Sequence, residues 1–119
     1  MKHDNKRTGR LGEDLACDYL KKRGYRIEER NFSTRFGEID MICYQGEILV
    51  FVEVKTKIGH EFGEPEEMVN RRKLSRVKKM AQVYLSEKGI DVSCRVDVVA
   101  VVLDEEENLE RLDHYQAVY

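Results

Sequence analysis

The segment from Cys94 to Leu103 is apolar at nearly every position, interrupted only by Arg95 and Asp97, and nothing else in the chain limits the fold as strongly. A strand that faces water on one side alternates polar and apolar residues, whereas a strand without alternation must be covered on both faces. The chain therefore has to build a sheet whose centre lies between two layers. A second run, Ile48-Leu49-Val50-Phe51-Val52, asks for the same surroundings. It continues into Glu53-Val54-Lys55, placing charge where a buried strand would carry on with valines.

The other elements follow from periodicity and punctuation. Leu11, Leu15, Ala16, Tyr19 and Leu20 keep a helical period, and Gly24 closes it after Lys21-Lys22-Arg23, which predicts a first helix over about residues 8–23. Tyr25 to Phe32, Ile39 to Cys43 and Ile48 to Lys57 read as a three-strand meander. Ile58 to Glu67, with Gly59, Gly63 and Pro65, reads as a loop beside it. Asn70 is a candidate cap for a second helix that ends before Gly89, with Leu74, Val77, Ala81, Tyr84 and Leu85 on its core face. A last short strand, near residues 109–118, follows the acidic turn Asp104-Glu105-Glu106-Glu107. The expected fold class is α/β, with an α-β-β-β-α-β core and a central mixed sheet flanked by helices.

A chain of 119 residues buries roughly two thirds of its unfolded surface, which suits one domain, with residues 1–7 as a flexible basic arm. No apolar stretch approaches the ~20 residues of a membrane span, and the N-terminus lacks the apolar region of a signal peptide, so a cytoplasmic protein without a membrane partner is expected. Cys17, Cys43 and Cys94 have no paired spacing and are expected as small core residues. His3, His60 and His114 are scattered and are expected at the surface or in loops. The absence of a glycine-rich phosphate loop leaves nucleoside triphosphate hydrolysis without support.

Tyr44-Gln45-Gly46-Glu47 separates two strand-like runs and reads as a hairpin turn. A turn centred on Gln45-Gly46 sets Asp40 opposite Phe51 and Glu38 opposite Glu53. Alternation then puts Asp40, Phe51, Glu53 and Lys55 on one face, with Asp40 and Glu53 as diagonal neighbours about 7–8 Å apart. Two carboxylates at that range repel unless a cation compensates, and a hard divalent ion such as Mg2+ or Mn2+ takes oxygen ligands from few protein groups. Lys55, farther along the same face, suits the orienting of a water or the neutralising of charge on a phosphate under attack. Taken alone, Glu53 and Lys55 also read as an exposed salt bridge at a sheet end, worth roughly 0–1 kcal/mol. Asp40 on the neighbouring strand and the apolar run before Glu53 favour the site.

The combination of Asp40 with Glu53-x-Lys55 on adjacent strands resembles the PD-(D/E)xK nuclease superfamily, with Ile39 standing where the superfamily name puts proline. The wider text is similar to the YraN family over nearly the whole chain. It comprises Gly9-Arg10-Leu11-Gly12-Glu13-Asp14-Leu15-Ala16, Gly37-Glu38-Ile39-Asp40, Phe51-Val52-Glu53-Val54-Lys55-Thr56-Lys57 and Arg95-Val96-Asp97-Val98-Val99-Ala100-Val101. The resemblance implies a restriction-endonuclease-like fold, a likeness to Holliday-junction resolvases, and a metal-dependent nuclease acting on nucleic acid, DNA in preference to RNA, with branched DNA among the candidates. It implies that Asp40, Glu53 and Glu13 hold Mg2+ or Mn2+ and that Lys55 completes the catalytic set. Glu13 matches the first-helix glutamate of archaeal resolvase relatives. A two-fold homodimer is implied as well. On the residues alone, Glu13 sits near the edge of the first helix's apolar stripe and reads equally as an N-terminal acid favoured by the helix dipole. The competing function is a non-catalytic nucleic-acid-binding accessory protein that keeps the nuclease fold.

The net charge of −2 conceals segregation. Arg72, Arg76 and Lys79 share one side of the second helix, Arg10 follows Lys2, Lys6 and Arg7 in the arm, and the densest acidic stretch is residues 104–113. Such a distribution suits phosphate contacts by Arg10, Arg72, Arg76 and Lys79 around a locally acidic site. Asp97 reads either as support for the site or as the partner of a base of the second helix, and the structural role is the one expected. Glu38 is a further candidate without an assigned role.

Overall fold

Both apolar runs become inner strands of one sheet. A computed structural model describes residues 5–59 and 71–119, with side chains for 6–59 and 74–119. In chain order the elements are α1 (Asn5–Lys22), β1 (Arg26–Thr34), β2 (Gly37–Gln45), β3 (Ile48–Ile58), α2 (Arg71–Lys88), β4 (Cys94–Leu103) and β5 (Leu109–Tyr115). The five strands lie side by side in sequence order. Neighbours are antiparallel except β3 and β4, which run parallel because the chain returns through α2 between them. The expected α-β-β-β-α-β core is present, extended by β5.

The helices cover opposite faces. On one, Ala16, Cys17 and Leu20 of α1 pack with Met41, Cys43, Val50, Val52, Val99 and Val101. On the other, Val77, Met80, Ala81 and Tyr84 of α2 pack with Ile42, Leu49, Phe51 and Val96. β3 and β4 supply both clusters, which is why their sequences do not alternate; each fully buried aliphatic or aromatic side chain contributes roughly 1.5–3 kcal/mol. α1 lies hard against β3 at Gly12, where an added Cβ would stand 1.8 Å from Thr56 Oγ1.

Several expectations change in detail. α1 begins at Asn5 and so takes Lys6 and Arg7, assigned to the arm by sequence, into the helix. β5 stops at Tyr115, and the tail turns back onto β4, with the Val118 N–H donating to the Val96 carbonyl at 2.8 Å. Cys17 and Cys43 are buried as expected, but Cys94 is exposed, because it opens β4 before that strand enters the double layer. His114 is no surface residue: its side chain is 5% exposed, turned from β5 toward Asp97 and Tyr19. His3, His60, Asn70 and nearly all of the loop after β3 lie outside the described residues. No helix among the described residues is long and apolar enough to cross a membrane.

Candidate active site

The β2–β3 hairpin turns on Gly46-Glu47, one residue later than the sequence suggested, with Gln45 paired to Ile48. Gly46 has φ of 60°, the positive value that a two-residue hairpin of type II′ demands at its first central position. Ile42 instead of Asp40 faces Phe51, and Met41 faces Val52. One position farther along, Asp40 comes to lie across from Glu53. Glu38, expected there, pairs with Ser33 of β1. The change moves partners by two, so the faces are unaffected, and Asp40 and Glu53 come one position beyond the last regular pair, lining the same pocket.

Regular β2–β3 pairing ends at Met41 and Val52. Beyond it the Val54 N–H donates to Asp40 Oδ2 at 2.7 Å, so a side-chain carboxylate replaces the backbone acceptor and fixes the Asp40 rotamer. Glu53 is 7% exposed, and Lys55 Nζ lies 3.9 Å from Glu53 Oε1. Where the strands part, a pocket of about 310 Å³ opens, lined by Glu38, Asp40 and Glu53 together with Phe36 and, from α2, Arg76 and Met80. Lys55 stands beside Glu53 but outside that lining, and Lys57 is buried farther along β3.

Glu13 lies in an adjoining depression of about 690 Å³, with Lys6, Arg10, Arg30 and Asn31. Glu38 lines both hollows and joins them. Asn31 Nδ2 donates to Glu13 Oε1 at 3.0 Å and to Glu38 Oε1 at 3.2 Å. The structure thus gathers Asp40, Glu53 and Glu38 in one pocket and connects Glu13 to them through Asn31. Among the described residues, no three His, Cys, Asp or Glu side chains are placed to hold a metal ion together. Carboxylate oxygens on an open pocket nevertheless suit a hard divalent cation that keeps several waters; a soft metal would want thiolate or imidazole ligands.

Of the basic candidates, Arg76 lines the smaller pocket and Arg10 the larger. Lys79 Nζ stands 5.9 Å from the Phe36 ring centroid. Arg72 belongs to α2, but its side chain lies outside the described residues. Sequence reasoning passed over Asn31 and Phe36. A turn-favouring Asn inside a predicted strand was the available hint for the first, and nothing marked the second.

Asp97 is fully buried on the α1 face, away from this site. Its partners are Arg95 Nε at 2.9 Å, His114 Nε2 at 2.8 Å and the Ala117 N–H at 2.9 Å, with the Tyr19 hydroxyl 3.2 Å from His114 Nδ1. Burial pushes its carboxyl up, but the hydrogen bonds from His114, Arg95 and Ala117 outweigh burial and hold it below the ordinary carboxylate value. Asp97 therefore has the structural part expected of it, with its own strand, β5 and the tail as partners instead of a base of α2.

Residues 12–101 match the profile of a family described as uncharacterised protein family UPF0102. A UPF0102 protein of Pelotomaculum thermopropionicum is 43% identical over 120 residues, covering all of both chains. One from Syntrophus aciditrophicus is 47% identical over 103 residues, 86% of this chain and 81% of its own. One from Dictyoglomus thermophilum is 44% identical over 101 residues, 84% of this chain and 86% of its own.

Proposed function

Because the chain belongs to the YraN-like uncharacterised protein family UPF0102, a description that assigns no activity, we propose its function from the site: a Mg2+- or Mn2+-dependent nuclease of the PD-(D/E)xK superfamily that hydrolyses phosphodiester bonds in DNA. The observation that carries this reading is Asp40 across the hairpin from a nearly buried Glu53, both facing one pocket, with Lys55 beside Glu53.

Asp40 and Glu53 would hold the ion, with Glu13 completing the set from α1. When bound, the ion polarises a phosphoryl oxygen and makes a water nucleophilic near neutral pH. The Val54 N–H keeps Asp40 in one orientation, so its carboxylate need not be ordered on binding. The Lys55 ammonium orients the attacking water and neutralises charge that develops on the phosphate. Arg76, at the pocket rim, takes a phosphate oxygen of the same strand and sets its register, and Lys79 and Arg10 extend the grip. Two copies related by a two-fold axis would present two such sites to a branched substrate, and sedimentation at micromolar concentration should show a dimer.

The test is a panel of labelled branched, single-stranded and duplex DNA with Mg2+ or Mn2+, run on wild type, Asp40→Ala and Lys55→Ala. Cleavage by wild type and none by either folded variant is expected. Binding that persists in chelator, ignores Asp40→Ala and never leads to cleavage would establish the accessory-protein alternative.

A further inference from the structure

Glu13 and Glu38 arrive at the site from different elements, α1 and β2, and one side chain joins them. Asn31 lies on β1 between the pairs Phe32–Ile39 and Arg30–Met41, level with Asp40. Its φ is 53°, a left-handed conformation that few residues other than glycine take readily and that asparagine tolerates. The residue is exposed, so core packing does not account for this backbone. Its amide nitrogen donates to Glu13 Oε1 at 3.0 Å and to Glu38 Oε1 at 3.2 Å, and Ser33 Oγ adds a contact of 3.4 Å to Glu38 Oε2. An amide NH2 carries two hydrogens and no charge. It holds two anions together without supplying a cation to compete with the metal, as lysine or arginine would.

We propose that Asn31 is a positioning residue. It ties Glu13 of α1 to the acids of β2, so that the helix carboxylate is presented to the divalent ion at Asp40 and Glu53. The inference rests on the metal-site reading above and adds a residue that acts through Glu13 without touching the ion.

The decisive experiment is Mn2+ calorimetry on wild type, Asn31→Gly, Glu13→Gln and the double variant, with circular dichroism and thermal unfolding alongside. Glycine takes φ near 53° without strain, so Asn31→Gly removes the amide and spares the backbone. Loss of such a supporting hydrogen bond should weaken Mn2+ binding roughly tenfold or more, with the fold retained. Because Asn31 acts through Glu13, the double variant should bind no more weakly than Glu13→Gln alone. Wild-type affinity in Asn31→Gly, or losses that multiply in the double variant, would overturn the role of Asn31 while leaving the metal site standing. A wild type that binds no Mn2+ would overturn both.

Discussion

Glu53 keeps a carboxylate nearly out of water at the end of an apolar run, a position that costs several kcal/mol unless a cation stands by. Lys55 stands by at 3.9 Å, and a divalent ion would add a second positive charge there. Replacing Glu53 with Gln keeps the shape and removes the charge. The expected outcome is a loss of cleavage of about 10²-fold or more with the unfolding temperature unchanged or raised, read from single-turnover assays and thermal melts. Lowered stability with undiminished cleavage would return the pair to a simple salt bridge. Reactivity of the thiols is a second check at this scale. Burial pushes the Cys43 thiol up to about 12, Cys17 is buried too, and Cys94 is exposed. Iodoacetamide on the native protein should therefore modify Cys94 first, as mass spectrometry would show, with the other two following only on unfolding. That Asp40 and Glu53 share a sheet face was legible in the sequence, because alternation survives a two-residue change of partner; which residue stands opposite Asp40 was not. Asn31 and His114 were not, since their partners Glu13 and Asp97 lie far along the chain and meet them only once the sheet has formed. Cys94 misled because residue type speaks for burial while its place at the strand end decides exposure.

The meander, the crossover helix and the doubly covered β4 were readable from local pattern, because each follows from periods of two or 3.6 residues. The hairpin register was not, because Gly46 fits either central position of a tight turn and only the match to strand twist selects between them. Docking of α1 depends on a contact that no local pattern announces. Gly12 leaves no room for a Cβ against Thr56, a β-branched residue with little rotamer freedom, so Gly12→Ala should destabilise by about 1–3 kcal/mol and displace the turn that carries Glu13. Urea denaturation measures the first effect and Mn2+ affinity the second. Asp97 joins β4, β5 and the tail. Its carboxyl titrates below its ordinary value of 3.8, so the stability it lends is complete above that pH and is lost as pH falls through the lower folded value. Asp97→Asn should flatten the stability profile between about pH 5 and 2. At pH 7 it should cost about 3 kcal/mol, because Arg95 loses its partner.

At the scale of the molecule, α1 and α2 carry their basic residues over opposite faces of the sheet, and the two hollows meet only at Glu38, near the start of β2. A phosphate backbone that touches both Arg76 and Arg10 would have to pass Glu38, where the two hollows join. The acidic turn at residues 104–107 reaches the start of α1, where Glu107 pairs with Arg7, so Arg7 is not counted among the phosphate contacts. Each phosphate contact releases counterions, which makes the path countable. Fluorescence anisotropy with a labelled duplex, in chelator and over about 50–200 mM salt, should give a linear fall of log affinity with log salt. Arg76→Ala and Arg10→Ala should each lower the slope by about 1, the pair together by about 2, and Glu106→Gln should leave it unchanged. If Arg10→Ala has no effect on the slope while Arg76→Ala does, the nucleic acid stays on the α2 side. Glu13 would then meet the substrate only through the metal, and the crossing past Glu38 would be ruled out.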